Sequence, residues 1–133
     1  MGGSVDSNAG GVTLDAGALI ALDRDDRRVI ALLEKAKRSA SRVTVPAGAL
    51  AQAVRQPERQ ARLSRLIRQP TTDVVALDRV DAVSVGRLLA ASRTTDVVDA
   101  HVVICARRAR QTVVTSDVGD LTRLDPDLEM VAL

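Results

Sequence analysis

The feature that most constrains the fold of this chain is an alternation of short β-branched runs with longer helical stretches. From Val12 onward, runs rich in valine and threonine are followed by segments whose apolar residues recur at helical spacing. This order is typical of a parallel sheet with crossover helices. The predicted strands cover residues 12–14, 42–45, 73–76, 112–115 and, more weakly, 128–131. We therefore expect an α/β fold with a central, mainly parallel sheet of four to five strands.

The helical stretches between these strands carry recognisable start signals. Proline suits the first turn of a helix, so Pro46 and Pro57 mark two of the starts. In the helix after Pro57, Leu63, Leu66 and Ile67 are expected to face inward. The predicted helices cover residues 25–38, 46–55, a segment from 57 onward, 78–91 and 96–109. The last of these is apolar nearly all round, so we expect it to be largely buried.

The length of 133 residues fits one domain and is too short for two. We expect that domain to cover residues 12–133, after a flexible N-terminal tail over residues 1–11 that is rich in Gly, Ser and Asn. Val, Leu, Ala and Ile supply nearly all apolar residues, which predicts an aliphatic core with Cys105 as a buried thiol. No apolar run approaches the roughly 18 residues of a membrane span, so we expect a cytoplasmic protein without a membrane partner.

Composition also limits how the chain can bind nucleic acid. Phe, Trp and Tyr are absent, which removes the aromatic platforms on which many single-strand binders stack bases. All but Lys35 and Lys37 of the 19 cationic residues are arginine, whose guanidinium suits bidentate phosphate contacts. One row of arginines is predicted to follow a helix, as a solvated face or as a surface for RNA or a partner protein. Its members are Arg55, Arg59, Arg62, Arg65 and Arg68.

Four aspartates lie where predicted strands end or predicted helices begin. Asp15 directly follows the first strand, Asp117 comes shortly after the fourth, and Asp96 and Asp99 open the apolar helix. Ligands of open α/β sheets bind outside the carboxyl ends of the strands, so these segments can converge there. Because burying ionised groups is costly, a divalent cation bound by carboxylate oxygens is the expected compensation. The sequence therefore predicts a metal site formed by these four residues.

Each aspartate also has a simpler structural explanation. An aspartate at the start of a helix often only caps it or complements its dipole, a contribution of about 0.3 to 1 kcal/mol. We expect this role for Asp78 and Asp81, and it stays open for Asp96 and Asp117. Asp99 lies one turn into an apolar helix, where capping explains it less well. A functional role is therefore the stronger reading for Asp99.

Other chemistries find little support in the sequence. His101 is the only histidine, so a zinc site is not expected. Its imidazole points to a different helix face from Asp99 and is predicted to be satisfied or partly exposed instead of binding a metal. The serines lack a glycine-flanked nucleophile elbow, and no phosphate-binding G-x-x-x-x-G-K loop occurs. A phosphoacceptor receiver-like domain needs a lysine after a late strand, whereas Lys35 and Lys37 lie early in the chain.

Four short motifs follow one another along the chain: VTLDAGALIAL at 12–22, VTVPAGALAQ at 43–52, VVDAHVVICA at 97–106 and TSD at 115–117. Their order resembles that of the motifs of PIN-domain proteins. From Val12 to Leu133 the chain resembles the VapC-like endoribonuclease toxins of type II toxin–antitoxin modules. This resemblance implies a PIN-like three-layer α/β/α sandwich.

The resemblance also implies an activity and partners. It implies hydrolysis of RNA phosphodiester bonds that depends on Mg²⁺ or Mn²⁺, with Asp15 and Asp99 as direct ligands. Asp96 and Asp117 would bind a second metal or hold metal-bound water. Auxiliary roles are expected for Gln52, Thr115, Ser116 and, from outside the ligand set, Asp120. A homodimer and a small cognate antitoxin protein are the implied partners.

The second motif departs from the family pattern at Gln52, where most relatives carry glutamate. A neutral amide removes one negative charge from the predicted site. We hypothesise that Asp96 supplies the missing carboxylate from the same helix face as Asp99. The alternative is a catalytically weak PIN module that serves as an RNA- or protein-binding element.

Overall fold

The described residues contain one sheet, and all of its strand pairs are parallel. The structure, a computed structural model, describes residues 11–133, so the predicted tail lies almost entirely outside the described residues. Within that range the strands are β1 (Val12–Leu14), β2 (Val43–Pro46), β3 (Thr72–Val75), β4 (Thr112–Thr115) and β5 (Met130–Ala132). They pair in the order β3-β2-β1-β4-β5, so β1 lies at the centre with β4 beside it. The predicted α/β fold with a mainly parallel sheet is confirmed.

Two groups of helices flank this sheet. Over residues 11–133 the helices are α1 (Ala16–Asp23), α2 (Arg27–Arg38), α3 (Ala47–Ala53), α4 (Ala61–Ile67), α5 (Arg79–Ser92), α6 (Val97–Ala109) and α7 (Val118–Leu124). Helix α1 contacts α2, α3 and α4, whereas α6 contacts α5 and α7. Because right-handed crossovers that run in opposite directions place their helices on opposite faces, this grouping gives the predicted three-layer sandwich. No helix in the described range is long and apolar enough to cross a membrane.

The core between these layers is aliphatic, as predicted. Leu14, Val113 and Val114 from the central strands are fully buried. Helix α6 contributes buried alanine and valine side chains and the buried thiol of Cys105, which confirms that this helix is largely internal. Burial raises the pKa of Cys105 to about 11, so its thiol stays protonated at neutral pH.

Several predicted boundaries are wrong by a few residues, with local causes. Helix α2 starts at Arg27 because Asp26 caps it, and Asp25 has a φ of 69°, which a helix cannot continue. Pro46 ends β2 and so precedes α3 instead of lying in its first turn. Helix α3 stops at Ala53 because Val54 is extended. The edge strand β5 begins at Met130, two residues later than predicted.

The arginine row is not carried by one helix. Between α3 and α4 the side chain of Gln60 is buried, accepts the N–H groups of Arg55 and Gln56, and donates to the carbonyl of Ala53. A short 3₁₀ turn, Pro57–Arg59, fills the same gap. Helix α4 is only seven residues long; it buries Leu63 and Leu66 as predicted, but Ile67 at its end is 38% exposed. The inward orientation predicted for Ile67 is therefore wrong.

Candidate functional site

The strand order predicts a binding site at one edge of the sheet, where the carboxyl ends of β1 and β4 lie. After β1 the chain crosses toward β2, whereas after β4 it crosses toward β5 on the other side. The carboxyl ends of β1 and β4 therefore flank the point where the crossover direction reverses, the usual ligand position in open α/β sheets. Asp15 directly follows β1, and Asp117 follows β4 by two residues. These two predicted site residues thus lie at the switch point.

Asp15 is buried and held by dedicated donors. It caps α1, its Oδ1 accepts the N–H of Ala18 at 2.8 Å, and its side chain is only 3% exposed. Burial raises the pKa of Asp15, an effect that a hydrogen bond from Thr115 partly offsets. The Thr115 Oγ1 atom also accepts the N–H of Asp117 at 2.8 Å. The predicted auxiliary residue Thr115 therefore ties the ends of β1 and β4 together.

Asp99 meets two further carboxylates beside this switch point. Asp99, Asp117 and Asp120 each offer a carboxylate oxygen, and these oxygens lie within 4.8 Å of one another. Burial raises the pKa of Asp99 to about 6, and repulsion from Asp96, Asp117, Asp15 and Asp120 adds to the rise. None of the ion pairs among residues 11–133 involves any of these five side chains. We call Asp99, Asp117 and Asp120 the acidic group.

The donor set of the acidic group suits a hard divalent cation. All three ligands are carboxylates, and Mg²⁺ and Mn²⁺ prefer oxygen ligands over nitrogen or sulfur. Burial is the main cause of the raised pKa of Asp99, and repulsion from the neighbouring carboxylates adds to it, since crowded anions hold protons more tightly. In Asp120 a hydrogen bond with Asp117 and repulsion from it also raise the pKa. A bound cation would offset the repulsion at both residues.

The acidic group differs from the four ligands predicted from the sequence. Asp120, expected to act from outside the ligand set, belongs to the group, whereas Asp96 and Asp15, which was predicted to be a direct ligand, do not. Asp96 precedes α6 as its N-cap, and its Oδ1 accepts the N–H of Asp99 at 2.9 Å. Both side chains line the same cleft, so the hypothesis that Asp96 supplies the missing carboxylate stays a prediction. The signal for Asp120 was its spacing, since residues three apart on α7 are neighbours.

Close packing brings the loop after β4 against the start of α1. A Cβ atom added to Gly17 would lie 2.0 Å from the Oγ of Ser116 and 3.2 Å from its Cβ. Only glycine allows this approach without a shift. Ser116 itself is exposed and precedes Asp117, so its predicted hydrogen-bonding role stays a prediction.

Gln52 lies on α3, which packs against α6 near the acidic rim. A Cβ added to Gly48, one turn before Gln52, would lie 3.3 Å from the side chain of Val98. Gln52 is exposed, and none of the side-chain hydrogen bonds found over residues 11–133 involves it. Its auxiliary role therefore stays a prediction.

The predicted arginine row lies apart from the acidic group. Arg62 forms an ion pair with Asp25, and both Arg62 and Arg65 line a groove between α2 and α4. Arg55 donates to the carbonyls of Ala51 and Val54. Contacts of the row with RNA or a partner protein stay a prediction, with no link to the acidic group.

A second charged cluster, which the sequence did not reveal, lies on another face of α6. Asp81 is 2% exposed and accepts two N–H groups of Arg108, at 2.7 and 2.9 Å, and Nε2–H of His101 at 2.8 Å. The Arg108 guanidinium holds the pKa of Asp81 well below its usual range, with a smaller contribution from His101. Asp81 is thus a buried ion-pair partner, and not simply the dipole-complementing residue that was expected. We call Asp81, His101 and Arg108 the buried ion-pair cluster.

The satisfied or partly exposed state predicted for His101 is confirmed only in part, because the residue is buried and its Nε2 atom bonds Asp81, whereas its Nδ1 atom has no hydrogen-bond partner among residues 11–133. The cluster could have been found from the sequence. Its sequence signal is the spacing of His101, Cys105 and Arg108, which places all three on one face of α6. Oxygen, nitrogen and sulfur atoms of Asp81, His101 and Cys105 also lie within 4.8 Å of one another. A protonated thiol and a carboxylate already engaged by arginine do not favour a metal there.

Comparisons with known proteins give a structural match alone. No protein-family model matches this sequence, and no curated protein matches it significantly. The structure is similar to a chain in the crystal structure of VapBC2 from Rickettsia felis bound to a DNA fragment from their promoter. The TM-score is 0.65 at 14% sequence identity, with 92% of this chain and 98% of that chain covered. At this identity the likeness establishes a shared fold, consistent with the predicted PIN-like sandwich.

Proposed function

We propose that this protein is a metal-dependent endoribonuclease that hydrolyses RNA phosphodiester bonds as the toxin of a toxin–antitoxin pair. The observation that carries the proposal is the convergence of carboxylates without cationic partners at the switch point of the sheet. The four family-like motifs and the fold shared with a chain of VapBC2 support the same assignment.

The acidic group, Asp99, Asp117 and Asp120, would hold Mg²⁺ or Mn²⁺. The buried carboxylate of Asp15 would support this group from the end of β1. When bound, the metal would polarise the scissile phosphate and lower the pKa of an attacking water. Asp15 is aimed by the N–H of Ala18 and by Thr115, so its carboxylate stays in one orientation at the end of β1. Asp96 fixes the first turn of α6 through the N–H of Asp99 and so positions that carboxylate.

The electrostatics explain why activity must depend on the metal. Without a cation, the clustered carboxylates repel the phosphates of RNA. The apoprotein therefore favours the uptake of a cation over the approach of a phosphodiester to these residues.

The test compares single-stranded RNA cleavage by the wild type, Asp99→Asn and a matched control, Asp127→Asn. Asp127 is exposed, and no side-chain hydrogen bond or ion pair over residues 11–133 uses its carboxylate. We expect cleavage in Mn²⁺, its loss in excess EDTA and its return when Mn²⁺ is restored. Asp99→Asn should lower kcat by at least about a thousandfold, the several kcal/mol expected of a metal ligand, while the control stays active.

Cleavage that survives excess EDTA, or that Asp99→Asn leaves unchanged, would overturn the proposal. Folding of each variant is checked by thermal unfolding, so a loss of activity cannot be attributed to a loss of structure. Mn²⁺ binding measured by calorimetry separates loss of the metal from loss of chemistry.

A second candidate function is an RNA- or protein-binding module without effective catalysis. The exposed amide of Gln52, where the family usually has a carboxylate, favours this alternative. It predicts that wild type and Asp99→Asn bind RNA and Mn²⁺ but that neither cleaves. Equal, background-level cleavage by both proteins would select this module over the nuclease.

We further propose that the protein forms a homodimer and binds a small antitoxin protein. Exposed aliphatic side chains at β3 and the start of α5 support an additional protein contact; they are Val74, Leu77, Val80 and Val83. Light scattering of the purified chain tests the dimer, with a concentration-independent monomer as the outcome that contradicts it.

A further inference from the structure

A cleft of about 300 Å³ opens beside the acidic group. Asp96, Asp99 and Asp120 contribute acidic side chains to its walls. The same cleft is also lined by two arginines, Arg93 at the end of α5 and Arg123 near the end of α7. Opposite charges therefore face one solvent-filled space next to the proposed reaction centre.

Both arginines are exposed and keep their guanidinium groups available. No ion pair or side-chain hydrogen bond over residues 11–133 involves Arg93 or Arg123. By contrast Arg42, Arg107 and Arg108 each bind an aspartate directly. The arginines of the cleft are thus free to bind an added anion.

Arg123 lies close enough to the acidic group to influence it. Its positive charge opposes the rise in the pKa of Asp120, although the two side chains form no ion pair. An anion that binds Arg123 would therefore lie within electrostatic range of the proposed metal ligands. Guanidinium groups suit this task because their planar donors match two phosphate oxygens at once.

We propose that Arg93 and Arg123 bind a backbone phosphate of the RNA and so position the adjacent phosphodiester at the acidic group. This inference rests on the proposed nuclease function. The carboxylates repel a polyanion, and the two cations in the same cleft supply the local attraction that offsets this repulsion. These arginines are distinct from the predicted row on and around α4, which does not line the cleft.

Arg110 provides a matched control for Arg93. Each residue ends a helix in a left-handed conformation, with φ 56° and ψ 42° at Arg93 and φ 56° and ψ 47° at Arg110. Replacement by alanine therefore changes the backbone preference at both positions in the same way. Arg110 does not line the cleft, so the two variants differ in the proposed phosphate contact.

The experiment measures RNA binding in an Asp99→Asn background, where the RNA stays intact. A fluorescently labelled single-stranded RNA is titrated in Mg²⁺ at several salt concentrations against the background protein, Arg93→Ala/Arg123→Ala and Arg110→Ala. We expect the double variant to bind at least about tenfold more weakly. Its slope of log K against log salt should shrink by about 0.7, since one phosphate of a single strand is neutralised and contributes about 0.7. Arg110→Ala should match the background protein.

A charge-preserving variant separates phosphate binding from a merely structural role. Arg93→Lys/Arg123→Lys should restore the salt slope but only part of the affinity, because lysine lacks the planar fork. In the otherwise wild-type chain, the double alanine variant should raise KM more than it lowers kcat. Thermal unfolding of each variant verifies that the fold is retained.

The outcomes distinguish this inference from the nuclease proposal. If the wild type cleaves RNA and the double alanine variant keeps the affinity and salt slope of Arg110→Ala, the arginine assignment is overturned alone. If the wild type cleaves no RNA while the double variant still loses affinity and slope, phosphate binding stands and the nuclease proposal fails.

Discussion

Helix α6 contributes to two charged groups, and these groups shift the pKa of a carboxylate in opposite directions. At its start, Asp99 faces other carboxylates, and burial together with their repulsion raises its pKa to about 6. On another face, His101 and Arg108 bind Asp81 and hold its pKa well below its usual range. At Asp81 the contact with Arg108 outweighs the effect of burial on the pKa, whereas at Asp99 the neighbouring carboxylates add to it.

The difference indicates which group has its charge satisfied inside the chain and which keeps its charge available to a ligand. The charge of Asp81 is satisfied inside the chain, where three hydrogen bonds join α5 to α6. The acidic group has no such partner in the described part of the chain, so its charge remains available to a ligand. A satisfied cluster stabilises the fold, whereas an unsatisfied one costs stability until its ligand binds.

The largest stability effect is expected from breaking the buried ion-pair cluster. Asp81→Asn removes the charge that Arg108 and His101 bind, which should lower the free energy of unfolding by about 3 kcal/mol. The control is Asp73→Asn, which breaks the bidentate but half-exposed pair with Arg42 and should cost no more than about 1 kcal/mol. Urea unfolding measures both. Equal losses in the two variants would remove the contrast between compensated and surface carboxylates.

An intermediate effect is expected where the acidic rim is packed most closely. Gly17→Ala forces Ser116 to move and should lower the free energy of unfolding by about 1.5 kcal/mol, while weakening Mn²⁺ binding through Asp117. The control Gly119→Ala meets no atom within 4 Å, and alanine favours the helix, so stability should stay equal or rise by up to about 0.5 kcal/mol. Thermal unfolding and calorimetry check both. A Gly17→Ala protein with unchanged stability and Mn²⁺ affinity would contradict the close approach.

The smallest expected effect is on the pH dependence of folding stability, to which Asp99 and Asp81 contribute with opposite sign. In the folded protein without metal, the pKa of Asp99 is about 6, above its ordinary 3.8, so the folded state binds more protons between these values. Stability in EDTA should therefore fall as pH rises from about 4 to about 6, by no more than about 1 kcal/mol because the charges are partly exposed. The pKa of Asp81 is lowered, so its contribution is present above pH 3.8 and is lost as pH falls further.

Two single variants test which carboxylate causes each part of the dependence of stability on pH. Asp99→Asn should flatten the fall between pH 4 and 6, and Asp81→Asn should flatten the loss below pH 3.8, as followed by urea unfolding in EDTA. A fall that persists unchanged in Asp99→Asn would show that other groups produce it.

The central strands and the position of the site followed from local sequence. Residues 12–14 and 112–115 are β-branched, bounded and internal, so pattern alone predicted β1 and β4. Because ligands of open α/β sheets bind outside the carboxyl ends of the strands, Asp15 and Asp117 were then expected at one edge of the sheet. The sequence pattern could not predict the orientation of α7 relative to the sheet. Asp120 belongs to the acidic group because of the direction that α7 takes after β4. The edge strand β5 has a weaker pattern and was predicted two residues too early.

The buried ion-pair cluster was missed for a different reason. Asp81 lies in the first turn of α5, where a capping rule treats an acid as a surface residue. Its burial results from the packing of α5 on α6, with partners 20 and 27 residues away in the sequence. Ile67 was misjudged because helical periodicity assumes that the helix continues, whereas α4 ends there. Contacts between helices, and the ends of short helices, are set by tertiary packing.

Because α6 carries both groups, the completeness of folding controls the exposure of a working site. The contacts of His101 and Arg108 with Asp81 act with the buried apolar residues of α6 to fix its rotation, and one residue of rotation is about 100°. A chain that has not yet formed these contacts holds Asp99 less firmly in one direction. Under the proposed function, a newly made or damaged copy would then be less active, and RNA hydrolysis would be strongest in molecules that have finished folding.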